Sequence, residues 1–378
     1  MQELLHPVFA DIRTPCYVID EAKLISNLEI LKSVQDNTGC RILLAQKAFS
    51  VWALYPLISR YLCGACASGL YEAKLSAEEF GKETHVFSPA FRESEFDEIV
   101  EVSDHIIFNS FSQLNKFRSK CAGKSIGIRV NPEFSTQEKE IYDPCAPFSR
   151  LGVTAAAFDD ESFEGVDGIH FHTLCEQNAV MLEATLEAVE ENFGERLKKC
   201  RWVNFGGGHH ITREDYDIER LERLITDFAE KYDVQVYLEP GEAVALDAGY
   251  LVTEVLDIVH NGADIAILDT SAECHMPDVL EMPYTPPLFG AGAPGEKRHY
   301  YRLSSCTCLA GDIIGDYSFD SELAPGDRLS FCDMAIYTMV KNNTFNGMPL
   351  PEIGLLRTDG TYESIKSFGY YDFKERMS

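Results

Sequence analysis

Short apolar runs alternate with amphipathic stretches along the first two thirds of the chain. Eight of these runs, three to six residues long, are bounded by polar residues or glycine, as is typical of strands buried on both faces. The stretches between them include residues 72–80 and 179–193, where apolar residues recur at helical spacing. The predicted strands are 42–45, 64–67, 85–87, 105–108, 125–130, 168–172, 202–205 and 235–238.

Eight strands that each precede a helix are what a (β/α)8 barrel requires, so we predict a TIM-like barrel of the α/β class. Beyond residue 250 the pattern changes to short apolar runs broken by Gly and Pro, which predicts a C-terminal β-sandwich or β-barrel domain. A strand at 15–20 ends at Asp20, which can cap a helix that begins near Glu21. The predicted domains are a barrel at 21–257 and a β domain formed by 1–20 and 258–378.

Composition narrows the possible functions. The net charge of −28 argues against nucleic acid or an anionic membrane as a partner. No apolar run approaches the roughly 20 residues that cross a bilayer, and residues 1–7 lack the basic start and apolar core of a secretory signal. Twelve cysteines in so long a chain are interpreted as reduced thiols. We therefore expect a soluble cytoplasmic protein.

Several reactive or charged side chains lie at the ends of predicted strands. Lys47 follows the first strand, Arg129 lies at the fifth and His172 at the sixth, while a triple glycine follows the seventh and Glu239 the eighth. Barrel enzymes place their active sites at the carboxyl ends of the strands. These positions predict a single active site at that end of the barrel.

Together these residue types can hold pyridoxal phosphate. Lys47 is a candidate amine for its aldehyde and His172 a candidate ring for stacking on its pyridine. Glu239 could keep the ring nitrogen protonated, and Cys308 could return a proton to the substrate carbon. Taken singly, each residue also has a plainer interpretation, such as a solvated lysine or an inert cysteine. The candidates for its phosphate are Gly206, Gly207 and Gly208, whose amides would lie near a helix N-terminus.

A metal-dependent hydrolase is a competing interpretation. His170 and His172 lie two residues apart on a predicted strand and so point to the same face, and His209 and His210 follow the glycines. Imidazoles that converge at a barrel mouth commonly bind zinc. The triple glycine favours a phosphate ligand instead, so we expect no metal.

In this order along the chain, the motifs resemble those of the fold type III pyridoxal phosphate decarboxylases, the group that contains ornithine and diaminopimelate decarboxylases. The resemblance covers nearly the whole chain and implies an alanine racemase-like fold. It implies that Lys47 forms the imine with the cofactor, that His172 stacks on the ring and that Glu239 faces the ring nitrogen. The matching segments are Ala-Gln-Lys-Ala-Phe at 45–49, Cys-Ala-Ser at 66–68, Gly-Ile-His-Phe-His at 168–172, the glycines at 206–208, Glu-Pro-Gly at 239–241, Cys-Leu-Ala-Gly-Asp at 308–312 and Ala-Ile-Tyr-Thr-Met at 335–339.

The resemblance also implies roles for residues outside these strand ends. Arg129, Gly241 and Tyr337 are expected to bind the cofactor, with Tyr337 reaching its phosphate. The segment 308–312 is expected to come from the neighbouring subunit, so that Cys308 and Asp312 complete the active site of a homodimer.

The chain departs from the family pattern at four positions. Glu242 stands where ornithine-type enzymes have arginine after Glu-Pro-Gly, and Ala65 stands where they have an acid. Leu309 replaces a glutamate of diaminopimelate enzymes, and Cys175 replaces a serine that would help to hold the phosphate. An acid at position 242 predicts a substrate with additional positive charge.

The segment 273–281 supports a cationic substrate. Diaminopimelate would present a distal carboxylate that needs basic contacts, whereas this segment offers mainly acids. Together with Glu242 and the segment 308–312, it resembles the members of the family that decarboxylate carboxylated polyamines, which implies that reaction and a place in polyamine biosynthesis. Glu242 and Asp278 are the candidates for its distal ammonium groups, and Glu273, Glu281 and Asp312 are further candidates.

Two alternatives remain open at this point. One is a decarboxylase of the same fold that acts on diaminopimelate, ornithine or arginine. The other is an inactive regulatory relative, which would usually have lost the lysine or the cysteine. Lys47 and Cys308 are both present, which favours an active enzyme.

Overall fold

The structure, a computed structural model, describes residues 5–137 and 139–378. The chain divides into two compact units, each described here by itself. The barrel unit spans Ser26–Val244, and the sheet unit combines Met1–Ile25 with Ala245–Ser378.

Sixteen strands lie in the described part of the chain. They are β1 Cys16–Asp20, β2 Arg41–Ala45, β3 Gly64–Ala67, β4 Glu83–Ser88, β5 His105–Phe108, β6 Ser125–Arg129, β7 Gly168–His170, β8 Trp202–Asn204, β9 Gln235–Leu238, β10 Gly249–His260, β11 Asp264–Leu268, β12 His299–Ser305, β13 Ile313–Phe319, β14 Arg328–Cys332, β15 Glu352–Leu356 and β16 Tyr362–Lys366.

The helices of the described residues range from single turns to five turns. They are α1 Glu21–Thr38, α2 Tyr55–Ile58, α3 Leu70–Leu75, α4 Glu93–Val102, α5 Phe111–Phe117, α6 Asp160–Phe163, α7 Ala179–Leu197, α8 Ile218–Tyr232, α9 Glu242–Ala245, α10 Ala272–His275, α11 Asp278–Glu281 and α12 Tyr370–Lys374. The Asp20 side chain accepts hydrogen bonds from the Ala22 and Lys23 amides, so the predicted cap of α1 is confirmed.

Eight parallel strands, β2 to β9 in order, close the barrel, and β9 pairs with β2. The predicted strands agree with these eight to within two residues at either end, so the barrel prediction is confirmed. Parallel strands of one barrel end on the same side, and the loops after β2, β6, β7, β8 and β9 therefore converge.

The connection after β6 differs from the regular pattern of strand and helix. Between Arg129 and α6, the described residues form short 3-10 turns at Glu140–Tyr142 and Ala155–Ala157 and an isolated bridge between Val130 and Val153. Pro132, Pro144 and Pro147 interrupt this connection, and a proline cannot donate the backbone hydrogen bond that a helix interior needs. A long loop therefore follows the strand that carries Arg129.

Glycines make room for a tryptophan inside the barrel. Trp202 packs with Leu43, Ile107 and Tyr237. A Cβ atom at Gly168 would lie 2.2 Å from the Trp202 ring, and one at Gly127 would lie 2.4 Å from it. Both distances are too short for a side chain, so these strands need glycine where the indole fills the interior.

The sheet unit forms an eight-stranded mixed sheet in the order β13-β12-β11-β10-β1-β15-β16, with β14 also pairing with β10. The β1/β15 and β11/β12 pairs are parallel. Phe9 and Ile12 pack with Val18, Tyr250 and Val252, so the segment ahead of β1 covers this face of the sheet. A β domain separate from the barrel was predicted, and it is confirmed.

Every helix among residues 5–137 and 139–378 is too short or too polar to traverse a bilayer.

Candidate active site

A cleft opens where the barrel strands end. Five of the predicted cofactor-binding residues line it, namely Lys47, Arg129, His172, Gly207 and Glu239. The remaining lining residues are Ala45, Cys66, Ala67, Ser68, Phe87 and His170. The structure therefore brings together Lys47 and Glu239, which lie 192 positions apart in the sequence.

Lys47 lies in a turn directly after β2, and buried polar contacts hold that turn. The Ala48 amide donates to the Ala45 carbonyl at 3.1 Å. Gln46, which is fully buried, donates to the Glu72 carbonyl at 2.9 Å and accepts from the Tyr55 hydroxyl at 3.0 Å. With Gln46 directed into the protein, the neighbouring Lys47 side chain is exposed at the cleft.

Glu239 follows β9 and is held at both carboxylate oxygens. Oε1 accepts from Asn204 Nδ2 at 2.7 Å, and Oε2 lies 3.1 Å from His170 Nε2. Burial alone would raise the pKa of Glu239, but its electrostatic interaction and hydrogen bond with His170, the field of His85 and the Asn204 amide lower that pKa to about 2. The carboxylate is therefore ionised at neutral pH.

His170 stabilises that charge as a hydrogen-bond donor. Burial lowers the pKa of His170, so its imidazole is neutral at neutral pH. We assign the ring proton to Nε2, because that nitrogen faces the Glu239 carboxylate. The hydrogen-bonded pair therefore carries the single negative charge of Glu239.

His172 is oriented by the glycine segment. Its Nδ1 accepts from the Gly207 amide at 2.8 Å, which leaves the proton of the neutral ring on Nε2. Burial and the nearby Lys47 and Arg129 cations lower the pKa of His172 well below its usual value. A neutral, fixed imidazole is suited to packing against a flat ring.

The glycine segment requires glycine for two separate reasons. Gly206 and Gly208 have φ values of 71° and 82°, in the left-handed region that side chains rarely adopt. A Cβ atom at Gly207 would lie 2.5 Å from the Glu239 carbonyl oxygen, and one at Gly208 would lie 1.9 Å from the Leu174 carbonyl oxygen. Backbone amides can therefore approach a ligand closely here.

Arg129, the last residue of β6, lies over an aromatic face. Its guanidinium is 4.6 Å from the centroid of the Phe87 ring, which in turn stacks on His170 at 5.6 Å. Arg129 Nη2 donates to the His172 carbonyl at 3.3 Å. Burial lowers the pKa of Arg129 to about 10, with Glu239 opposing the shift, so the guanidinium remains charged at neutral pH.

Gly241 and Glu242 follow Glu239 in the same loop. A Cβ atom at Gly241 would lie 2.5 Å from the Ala48 Cβ, so glycine lets this loop pack against the turn that carries Lys47. Glu242 begins α9, and its Oε1 lies 3.9 Å from His210 Nε2. The acid that replaces the family's arginine is thus in the barrel unit, three residues beyond the cleft acid.

The sheet unit carries the other predicted residues. Cys308 is exposed, and its amide donates to Asn346 Oδ1 at 2.7 Å. Tyr337 is half-buried with φ of 50°. Asp312 is buried and accepts from Ser305 and Thr307, both at 2.5 Å, with further hydrogen bonds from Ser271 Oγ and the Ala272 amide. Asp312 therefore anchors the Cys308 loop, while its predicted contact with substrate stays a prediction.

An acidic pair in the sheet unit binds an ammonium group. Asp278 Oδ1 and Glu281 Oε2, on one face of α11, both lie 2.5 Å from Lys341 Nζ. Glu273, on α10, accepts at its backbone carbonyl from Asn343 Nδ2 at 2.9 Å. The two carboxylates of α11 are thus close enough together to hold one primary ammonium group between them.

Two residues that form hydrogen bonds with the Glu239 carboxylate were not predicted from the sequence. Asn204 was not a candidate, and His170 was a candidate only as a metal ligand. A signal for Asn204 was available, because an amide in an otherwise apolar predicted strand, two residues ahead of a glycine run, needs a buried partner. Which partner it has could not be read from its neighbours in the sequence.

The cleft fits pyridoxal phosphate on observations of this structure. The ionised Glu239 supplies a negative charge for a protonated ring nitrogen, and a fixed neutral imidazole lies at the same cleft. The glycine segment has no space for side chains, so a phosphate can approach its backbone closely, while the Gly206 and Gly207 amides donate to Asn204 and His172. The Lys47 side chain lines the same cleft.

Comparison with known proteins agrees with this geometry. A carboxynorspermidine/carboxyspermidine decarboxylase from Campylobacter jejuni is 46% identical over 97% of this chain and 99% of its own length. A carboxyaminopropylagmatine decarboxylase from Synechocystis is 41% identical over 99% of this chain and 98% of its own. The crystal structure of carboxynorspermidine decarboxylase from Campylobacter jejuni, complexed with norspermidine, matches with a TM-score of 0.92 and 45% identity, over 97% of this chain and all of that one.

The family assignment rests on coverage as well as on the cleft. The family model for "Pyridoxal-dependent decarboxylase, C-terminal sheet domain" matches residues 16–335, which include both the barrel strands and the first strand of the sheet unit. The residues that fit the cofactor all lie inside that match. This chain therefore belongs to the family of pyridoxal-dependent decarboxylases.

Proposed function

We propose that this chain decarboxylates carboxynorspermidine to norspermidine and carboxyspermidine to spermidine, as a step of polyamine biosynthesis. One observation carries the choice of substrate: Glu242 stands directly after the Glu-Pro-Gly of the cleft, where enzymes for compact amino acids carry arginine. Two further findings support the same choice. One is the acidic segment around Asp278, and the other is the likeness over nearly the whole chain to carboxynorspermidine decarboxylases.

Each barrel residue in the cleft has a separate role in the proposed reaction. Pyridoxal phosphate, when bound, supplies an electron-withdrawing ring that accepts the electron pair left as carbon dioxide departs. Lys47 is the amine for its aldehyde, and the ionised Glu239 favours a protonated ring nitrogen. His172 would pack against that ring, the glycine segment would lie at the phosphate end, and Arg129 would also bind the cofactor.

Completion of the site needs residues of the sheet unit. We expect a homodimer in which Cys308 of one chain returns the proton to the substrate carbon in the site of the other, with Tyr337 reaching the phosphate. Exposure of Cys308 and the hydrogen bonds that hold its loop through Asp312 support this assignment. The dimer and a cytoplasmic location are parts of the proposal.

Charge selects the substrate in this proposal. The distal ammonium groups of a triamine would meet Glu242 and Asp278, with Glu273 and Glu281 nearby in the sequence. A distal carboxylate, as in diaminopimelate, would be repelled by the same acids. The contact of Asp278 and Glu281 with the Lys341 ammonium supports this role, because it places both carboxylates around one primary ammonium group.

A second candidate substrate follows from the Synechocystis relative. Its name, carboxyaminopropylagmatine decarboxylase, denotes a substrate that ends in a guanidinium group. Paired carboxylates bind a planar guanidinium as readily as an ammonium group. The same acids could therefore serve this substrate.

The direct test is to assay the purified enzyme, loaded with pyridoxal phosphate, on four compounds under identical conditions. These are carboxynorspermidine, carboxyspermidine, carboxyaminopropylagmatine and diaminopimelate. We expect kcat/KM to be largest for the first two. A larger value for carboxyaminopropylagmatine would favour the second candidate, and efficient formation of lysine from diaminopimelate would refute both.

Replacing Glu242 with arginine tests the charge argument. We expect KM for the triamine to rise about 100-fold, because an attraction to an ammonium group becomes a repulsion in a partly buried site. The cofactor absorbance should not change, since Glu242 is not among the cleft-lining residues. The matched control is Glu230→Arg, on the exposed face of α8, which should leave KM as it is. An unchanged KM in Glu242→Arg would remove the substrate assignment.

Replacing Lys341 with methionine tests the acidic pair of α11. If Asp278 and Glu281 receive the substrate's ammonium group, removing the internal competitor should lower KM by up to about fivefold, the scale of an exposed ion pair. Lys297→Met is the control, because Lys297 pairs with Asp320 in the same unit. A KM that rises in Lys341→Met would show that the pair serves the fold alone.

A further inference from the structure

Asn204 joins two parts of the cofactor cleft through one side chain. It is the last residue of β8, fully buried, and it pairs in register with His170 of β7 and Tyr237 of β9. Its Nδ2 donates to Glu239 Oε1 at 2.7 Å, while its Oδ1 accepts from the Gly206 amide at 2.8 Å. Glu239, which is proposed to face the ring nitrogen, and Gly206, in the segment proposed to lie at the phosphate, are therefore both hydrogen-bonded to Asn204.

Further hydrogen bonds close the arrangement around this amide. The Glu239 amide donates to the Gly206 carbonyl at 2.8 Å. The Gly207 amide donates to His172 Nδ1, which sets the plane of the predicted stacking ring. A displacement of Asn204 would therefore shift Glu239 and the glycine segment. Because the Gly207 amide holds His172, it would also shift that ring.

We propose that Asn204 is a positioning residue that fixes the distance between the Glu239 carboxylate and the phosphate-binding glycines, so that one cofactor is gripped at both ends at once. The proposal rests on the cofactor role given under Proposed function, and it is independent of which polyamine is the substrate. Asn204 need not touch the cofactor, because it acts through the groups that do.

An asparagine is suited to this position by its chemistry. Its planar amide presents a donor and an acceptor on opposite branches of one rigid group, and here each branch has one partner. An aspartate of the same shape would keep the acceptor for Gly206 but would place a second carboxylate against Glu239, which raises the pKa of one of the two acids. An alanine would remove both contacts. The two substitutions therefore separate the ring end from the phosphate end.

The test measures cofactor binding rather than activity. Dissociation constants of pyridoxal phosphate and of pyridoxal, which lacks the phosphate, are determined on the full chain after removal of the cofactor. The ratio of the pyridoxal constant to the pyridoxal phosphate constant reports what the phosphate contributes to binding. For Asn204→Ala we expect this ratio to fall about tenfold, the scale of one lost hydrogen-bond alignment at a charged ligand. For Asn204→Asp the ratio should stay near the wild-type value.

The ring end has its own spectroscopic readout. In Asn204→Asp the pH at which the absorbance of the bound cofactor titrates should shift by about one unit or more, since the charge opposite the ring nitrogen changes.

The matched control is Asn109→Ala. Asn109 also follows a barrel strand, donates to the Arg150 carbonyl at 2.8 Å and accepts from the Gly152 amide at 2.7 Å, without contacting Glu239 or the glycines.

The outcomes decide between positioning and general structural support. If the phosphate ratio of Asn204→Ala equals that of Asn109→Ala, the proposal fails. If Asn204→Ala does not fold, Asn204→Asp decides alone: a shifted titration with an unchanged ratio supports the proposal, and any other combination overturns it. Failure of the enzyme to release carbon dioxide from triamines would refute the proposed substrate but would leave these binding results unaffected.

Discussion

Lys47→Ala is expected to reduce release of carbon dioxide from the carboxylated triamine by at least about 10⁴-fold, the loss seen when a covalent catalytic group is removed. The reason is that Lys47 is the amine that opens onto the cleft, in a turn held by the buried Gln46. The measurement that accompanies the assay is intact mass after borohydride treatment, which reduces a bond between a lysine and the cofactor to a stable amine. Wild-type protein should retain the added cofactor mass, and Lys47→Ala should not.

A lysine elsewhere in the barrel unit provides the control for this experiment. Lys82 is exposed and donates to the Leu62 carbonyl at 2.9 Å. Lys82→Ala should keep both the activity and the reduced adduct on Lys47. If peptide mapping placed the adduct on another lysine, or found none in the wild-type protein, the mechanism built on Lys47 would be wrong.

Glu239→Gln is expected to lower kcat by about 10²- to 10³-fold while the cofactor still binds. The substitution keeps the shape of the side chain but removes the charge, and loss of a preorganised charge at the reacting ring has effects of about this size. Asn204 and His170 hold the pKa of this acid near 2, so the wild-type carboxylate is ionised throughout the working pH range. An acidic limb in the pH profile of kcat should therefore come from another group.

The control for Glu239→Gln is Glu83→Gln. Glu83 is also partly buried and also lies near a histidine, with Oε2 3.4 Å from His85 Nε2, and it pairs with Arg41 at 2.8 Å. Because Glu83 begins β4, it lies at the opposite end of the strands from the cleft. Glu83→Gln should affect stability more than kcat. Equal losses of kcat in both variants would contradict a special role for Glu239.

Much of the barrel could be predicted because its signals are local. The run His-Ile-Ile-Phe at 105–108 and the run Gln-Val-Tyr-Leu at 235–238 are each bounded by residues that favour turns, and both agree with the observed strands to the residue. Lys47 and Glu239 could be assigned to one cleft because barrel strands end on a common side. The loop after β6 was harder to foresee, since its prolines prevent the helix that the repeating pattern suggests.

Periodicity, glycine runs and the order of reactive residues depend only on neighbouring positions, so the linear chain already specified the barrel, the cofactor type and the candidates Lys47 and Glu239. The charge state of Glu239 is a different matter, because it depends on burial and on hydrogen bonds from His170 and Asn204, which are 69 and 35 positions away. Folding decides those contacts by placing β7, β8 and β9 side by side. Contacts between distant residues and their desolvation leave no local pattern, and for that reason the partners of Asn204 could be identified only from the fold.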